Sequence, residues 1–288
     1  MLTHKEISNI FSSKRILEIS NGDFSFLFQI AKHYSNLLDS EFTAKEVLDI
    51  CYKNLSQNYR GEYFFKNTVT EKILIGRHSI NTATAISELR VGKSKADCVI
   101  VNGNSTCYEI KSEYDNLDRL DNQLHHYQKI FDKVYIVTSE KHLQHIEQKV
   151  HLDIGIINLT KRNTLSLVRE AVVNYREIDI PTLIRSLRVD EYKEMVKLLY
   201  GAAPTASNTE IFSICEKLLG EASPAEVRLT FCKVIKKSRQ IEKSFIDCLP
   251  RSLLAAGISY KLSKAQKASL IKNLNTNISK DALCTTLY

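Results

Sequence analysis

The stretch Lys95-Ala-Asp-Cys-Val-Ile-Val-Asn-Gly-Asn-Ser-Thr-Cys-Tyr-Glu-Ile-Lys111 holds the residues best suited to chemistry. An apolar strand opens with Asp97, turns at Asn102-Gly103-Asn104 and returns as a strand carrying Glu109 and Lys111. Side chains two apart on a strand share a face, so Glu109 and Lys111 are neighbours while Ile110 points the other way. Two carboxylates arriving from adjacent strands offer hard oxygen ligands that suit a magnesium ion keeping several of its waters. An ammonium beside them can position or help deprotonate an attacking water while the metal stabilises charge on a phosphoryl oxygen. The plainer reading makes Asp97 and Glu109 solvated charges on the wet face of an antiparallel sheet. Val99, Val101, Cys107 and Ile110 weigh against it, because they make these strands apolar on both faces, where lone charges call for partners.

The chemistry depends on the register of the hairpin. Asn102-Gly103 alone signals a two-residue type I′ turn, which would pair residues whose numbers sum to 205 and place Asp97 and Glu109 on opposite faces. A three-residue loop over Asn102-Gly103-Asn104, or a five-residue one, makes the sum 206 and sets Asp97 opposite Glu109 on the face of Lys111. The metal reading therefore predicts an odd loop with Gly103 or Asn104 at positive φ.

Around this hairpin the hydrophobic pattern changes twice. From Thr3 to about Asn58 apolar residues recur at three and four, as short helices require, and Thr43 with Glu46 resembles a capping box. A helical stretch over Phe64 to His78 precedes apolar runs at Thr84 to Val91, Ala96 to Val101, Thr106 to Lys111 and Val134 to Thr138. Helical spacing over Leu117 to Phe131 separates the last two runs, and a helix (Glu140 to Val150) and a short strand (Ile154 to Asn158) follow. The middle is an α/β arrangement of helix, three strands, helix and strand. After Ile180 the strand signal disappears, leaving helices at Pro181 to Tyr200, Asn208 to Leu219, Ser223 to Lys237 and Ile241 to Ala256. The expected organisation is a helical N-terminal segment (1–58), an α/β core (59–160) and a helical C-terminal extension (161–288).

Asp97 followed by Glu109-Ile110-Lys111 resembles the signature of the PD-(D/E)XK nuclease superfamily, and the element order is similar to its restriction-endonuclease-like core. Gln123-Leu-His-His-Tyr127 resembles the QxxxY motif of the RecB-like branch, with Gln123 and Tyr127 on one helical face. Leu89-Arg-Val-Gly-Lys-Ser-Lys-Ala-Asp97 and Glu109-Ile-Lys-Ser-Glu113 resemble a group of uncharacterised bacterial proteins of this superfamily. The resemblance covers roughly Tyr59 to Asn158, and Ala96 stands where a proline is usual. It implies a Mg²⁺- or Mn²⁺-dependent phosphodiesterase acting on DNA, endonuclease or exonuclease, in which Asp97, Glu109 and the Ile110 carbonyl hold the metal and Lys111 orients the water. Glu88, nine residues upstream of Asp97, would be a further ligand, or else a strand-end charge paired with Arg90 or Lys93. Gln123 and Tyr127 would fix the catalytic strand or touch DNA, with helix packing the other reading for Tyr127. Arg90 and Lys95 would contact substrate. The alternative for the whole chain is a nucleic-acid- or protein-binding module that keeps the fold without turnover.

The 288 residues are 43% hydrophobic and 25% charged with 9 Gly and 4 Pro, a globular composition that excludes collagen-like and low-complexity classes. The net charge is +7, and Pro181 to Tyr288 carries 17 Lys+Arg against 10 Asp+Glu, leaving 23 of each sign before it. That asymmetry suits an acidic partner such as DNA, or simply solvated helix faces; the helical extension could also dock a protein. Seven scattered cysteines without CxxC spacing predict buried thiols in a reducing compartment. His78, His125, His126 and His151 lack metal-ligand spacing, and Glu113, Asp115, Asp118 and Asp121 read as a solvated helix start. No run reaches the roughly 18 residues of a membrane span, so a soluble, cytoplasmic protein with no membrane partner is expected. Repair, mobile-element maintenance and phage defence all suit such an activity.

Overall fold

The computed structural model describes residues 2–207 and 209–285. Asn208, where a helix is predicted to begin, and the side chain of Cys284 lie outside the described residues. The chain is mixed α/β and divides into two compact units, one made of Met1–Glu71 with Glu242–Tyr288 and the other of Lys72–Ile241. This division cuts across the three consecutive segments read from the sequence. The extension expected over 161–288 is shared out, because its helices up to Ile241 bury apolar faces on the sheet whereas the rest packs with the N-terminal segment. Along the chain the strands are β1 (Glu41–Thr43), β2 (Thr84–Val91), β3 (Ser94–Asn102), β4 (Asn104–Lys111), β5 (Lys133–Ser139), β6 (Gly155–Leu159), β7 (Leu165–Arg169) and β8 (Asn277–Ser279).

The first unit is helical apart from the antiparallel pair β1–β8, in which Glu41 faces Ser279. The helix Ala44–Asn58 starts with the predicted capping box: Thr43 Oγ1 accepts from the Glu46 N–H at 3.2 Å, and Glu46 accepts from the Thr43 N–H at 2.7 Å. Fully buried Asn67 donates to the Arg251 carbonyl at 2.8 Å and accepts from the Ala255 N–H at 2.9 Å. A buried amide can be tolerated only with such partners, and these fasten the N-terminal and C-terminal segments together.

In the second unit a six-stranded sheet runs β2-β3-β4-β5-β6-β7. Strands β2, β3 and β4 are antiparallel, β4, β5 and β6 are parallel, and β7 returns antiparallel at the edge. The helices Leu120–Gln128 and Glu140–Lys149 supply the crossovers that parallel strands need. One core joins Val99, Cys107 and Ile136 of the sheet to Leu124 and Tyr127 of the first crossover and to Met195, Phe231 and Ile235 of later helices. The helix expected over Pro181 to Tyr200 is two, Ile180–Ser186 and Val189–Tyr200. The break lies at Leu187 and Arg188, both extended, and the Glu191 carboxylate takes the Arg188 N–H at 2.8 Å to cap the second helix. Five described cysteines are buried as expected, but Cys248 is exposed.

Gly155 stands opposite Tyr135, where an added Cβ would come within 2.3 Å of the Tyr135 ring and 2.8 Å of the Ala171 nitrogen. Gly155→Ala must push that ring aside, and overpacking of this kind costs about 1–3 kcal/mol, so thermal melting should fall by several degrees.

Candidate active site

The hairpin register comes out at 206. Cys98 faces Tyr108, Val99 faces Cys107 and Asn102 faces Asn104, with Gly103 between them at φ 79°. A side chain at that φ is strained, which explains why glycine occupies the turn. Continuing the register sets Asp97 opposite Glu109. Regular pairing stops at Cys98–Tyr108, and the Asp97 carboxylate itself accepts the next N–H, that of Ile110, through Oδ2 at 2.8 Å.

Strand β4 delivers Glu109 and Lys111 to its carboxyl end on the face covered by the Leu120–Gln128 helix. Lys111 Nζ donates to Glu109 Oε1 at 2.7 Å and to Gln123 Oε1 at 2.9 Å. Tyr127 OH lies near both Glu109 Oε2, at 2.8 Å, and the Lys95 carbonyl, at 2.9 Å. Thr138, paired with Lys111 across the parallel ladder, donates its hydroxyl to the Lys111 carbonyl at 3.0 Å. Glu109 is 1% and Lys111 7% exposed. Burial raises the Glu109 carboxyl above its ordinary value, and the charge and hydrogen bond of Lys111, followed by those of Tyr127 and Gln123, only partly offset it. Burial and the nearby Glu109 charge also drive the Tyr127 phenol far up, so it remains a neutral donor. Removing an ion pair like this one from water costs several kcal/mol per ion, so it is poor stabilising material.

Glu88 falls between the Ser87–Cys98 and Leu89–Ala96 pairs of β2–β3, at the level of Asp97, and their carboxylate oxygens come within 4.8 Å. Its backbone is left-handed at φ 58°, a conformation rare for a non-glycine residue and concentrated at functional sites. Ile86 before it and Leu89 after it have opposite parity yet join one core, so the strand switches faces at Glu88. The partner of Glu88 is Lys95, at 2.7 Å, in place of the expected Arg90 or Lys93, because Lys95 lies one diagonal step away across the hairpin. Arg90 is exposed beyond this bend.

Glu109, Lys111, Gln123 and Tyr127 thus share one hydrogen-bonded network, while Asp97 lies with Glu88 and meets the next strand through the Ile110 N–H, with Lys95 at the rim. Of the readings open for Tyr127, substrate contact does not hold: it is fully buried in the core, as helix packing requires, and its hydroxyl fixes Glu109 on the strand. Sequence reasoning missed Thr138, whose only signal is its place at the end of β5, and the left-handed Glu88. It also missed a brace beneath the site: Asp132 accepts from the Ser105 N–H at 2.6 Å and from Arg228 at 3.1 Å, tying the start of β4 to the loop before β5. The cluster lies at the carboxyl ends of parallel strands, where α/β proteins place their ligands.

A family described as bacteriophage P4 protein cII matches residues 55–283. Protein cII of Enterobacteria phage P4 is 36% identical over 87 residues, which are 30% of this chain and 33% of that protein, so the match spans about a third of the relative's length. Among solved structures, a protein of unknown function from Silicibacter pomeroyi aligns over 44% of this chain and 87% of its own at 13% identity and a TM-score of 0.29.

Proposed function

The chain belongs to the bacteriophage P4 protein cII family, and from the geometry around Lys111 we propose that it is a metal-dependent DNA nuclease with a PD-(D/E)XK, restriction-endonuclease-like core. The observation that carries this reading is the hairpin register, which sets Asp97 opposite Glu109 with Lys111 Nζ 2.7 Å from the Glu109 carboxylate. The donor chemistry suits Mg²⁺ or Mn²⁺: Asp97 and Glu109 are hard oxygen ligands on neighbouring strands, and a Glu88 carboxylate oxygen lies within 4.8 Å of one from Asp97. Asp97, Glu109 and the Ile110 carbonyl would hold the ion, which when bound supplies Lewis-acid stabilisation of charge on the phosphoryl oxygens. Lys111, steadied by Gln123 Oε1, orients the attacking water. Water adds to phosphorus and gives up a proton to solvent, one P–O ester bond breaks, and the departing oxygen takes a proton from solvent. Tyr127 keeps the Glu109 carboxylate facing Lys111 throughout.

A second reading, a binding module without turnover, draws on one observation. Both Glu109 oxygens are already hydrogen-bonded, to Lys111 and to Tyr127, in a closed network. The two readings part on metal. In a nuclease, Mg²⁺ or Mn²⁺ should raise the melting temperature of the wild type by several degrees, since a ligand at about 100 times its dissociation constant adds roughly 2.7 kcal/mol. Asp97→Asn should abolish that gain. An equal shift in wild type and variant places the ion elsewhere, and no cleavage of supercoiled, linear or single-stranded DNA with either metal favours the binding module.

A further inference from the structure

The sheet unit carries a second charged feature, at the far end of the hairpin from Lys111. A cavity of about 560 Å³ lies between the helix Pro224–Ser238 and the hairpin tip, lined by Lys233, Lys236 and Lys237 on one side and by Asn81, Thr82 and Gly103 on the other. The three lysines stand at i, i+3 and i+4, the spacing that puts helix side chains on one face. Phe231, Val234 and Ile235 bury the opposite face, so the lysine row is fixed by a packed core. The facing wall is a turn whose Ser79 carbonyl accepts the Thr82 and Ala83 N–H groups at 2.9 and 2.8 Å.

The other basic residues of this segment are committed to internal partners. Arg228 pairs with Asp132 at 3.1 Å and Arg239 with Glu191 at 2.7 Å. Lys237 pairs with Glu194 at 2.8 Å in a largely exposed position, where such pairs hold weakly. Among the described residues neither Lys233 nor Lys236 has an ion-pair partner.

We infer that this groove grips the phosphodiester backbone of duplex DNA at a distance from the cutting site, an inference that rests on the nuclease reading and extends it. Two uncommitted ammoniums and a third held by a weak pair ask for a multiply charged anion. From Lys233 to Lys237 the helix rises about 6 Å. A duplex strand carries a phosphate every ~3.4 Å of axis, so the row matches about two consecutive phosphates. Gly103 and Lys111 are eight strand residues apart, about 26 Å, and the helices over both ends contribute to one core on one face of the sheet. The groove would therefore hold the duplex some eight base pairs from the scissile phosphate.

The test uses the full chain in EDTA with a fluorescein-labelled 24-base-pair duplex, titrated at several salt concentrations. Lys233→Ala/Lys236→Ala should lower the slope of log K against log[salt] by about 1.8, at roughly 0.9 per duplex phosphate contact, and weaken binding at least tenfold at 0.1 M salt. Its melting temperature should stay close to that of the wild type, Lys233 being exposed and Lys236 half-buried with no ion pair to lose. An unchanged slope in the folded double variant overturns the inference. So does displacement of the probe by micromolar ATP, which would make the groove a nucleotide pocket, or tighter binding of the corresponding RNA duplex. Because binding is read without metal, the slope decides the groove even for a chain that never cleaves.

Discussion

Asn in place of Asp97 should reduce metal-dependent DNA cleavage by about 10³-fold, and Ala in place of Lys111 by a similar factor, within the roughly 10²- to 10⁴-fold range of positioned acid–base groups. The two losses have different origins. Asp97→Asn keeps an acceptor for the Ile110 N–H, so the junction between β3 and β4 stays closed while the negative ligand disappears. Lys111→Ala removes the ammonium that lowers the proton affinity of Glu109, whose carboxyl burial already raises. Without that charge the carboxyl of Glu109 shifts further toward its neutral form. Initial rates on supercoiled DNA with Mg²⁺, together with melting curves of each variant, make the check. Wild-type rates in both folded variants would remove this constellation from the reaction.

The largest expected effect on stability lies far from the strand ends, at Glu191. Its carboxylate accepts from Arg239 through both oxygens at 2.7 Å, from Ser238 at 2.9 Å and from the Arg188 N–H at 2.8 Å, and the residue is 2% exposed. Glu191→Ala leaves a guanidinium that is only 13% exposed without its partner and opens a helix start, for a loss of about 3 kcal/mol. The pH dependence has a definite sign. Burial pushes the Glu191 carboxyl up, but its bonds to Arg239 and the Arg188 N–H outweigh this and leave it below the ordinary value. A carboxylate with a depressed folded-state pKa contributes stability above its unfolded pKa and loses it as pH falls through the folded one. The gap in melting temperature between wild type and Glu191→Gln should therefore be full at pH 7 and shrink below about pH 4.3. A gap that stays constant to pH 3 would show that the ion pair contributes nothing.

How much of this was legible beforehand can be judged element by element. Strands β2 to β6 announced themselves because buried β-branched runs bounded by turns have few other solutions. The hairpin loop was legible only through chemistry, since the local Asn-Gly signal favoured the shorter turn and the need for two carboxylates on one face chose the longer one. Strand β7 carried no such signal: Leu167 and Val168 are 47% and 38% exposed at the sheet edge, so burial never patterned them. The β1–β8 pair joins three-residue strands from opposite ends of the chain, too short for any periodicity, and contradicts the reading that strands end before Ile180. Glu88 gave no hint of its backbone, because glutamate is not a residue selected for left-handed φ. In the site, residue types and spacing named Asp97, Glu109 and Lys111, and the family resemblance added Gln123 and Tyr127, but only packing could choose among the readings of Tyr127 and turn it inward onto Glu109.

The interleaving of the two units has a consequence for synthesis. The N-terminal helices find their partners only after the contiguous 170 residues of Lys72–Ile241 have been made: Tyr260 reaches the Phe11 carbonyl, Asn273 reaches Ile19, and β8 pairs with β1. At 5–20 residues per second the ribosome takes roughly 10–30 s over that stretch. During this interval the apolar faces around Ile7, Leu27 and Val47 have no C-terminal segment to cover them, whereas the sheet unit emerges whole and can close its core at once. Because loop closure over such separations is slow, the chain passes through a nascent state in which the N-terminal helices have one another but still lack their C-terminal cover.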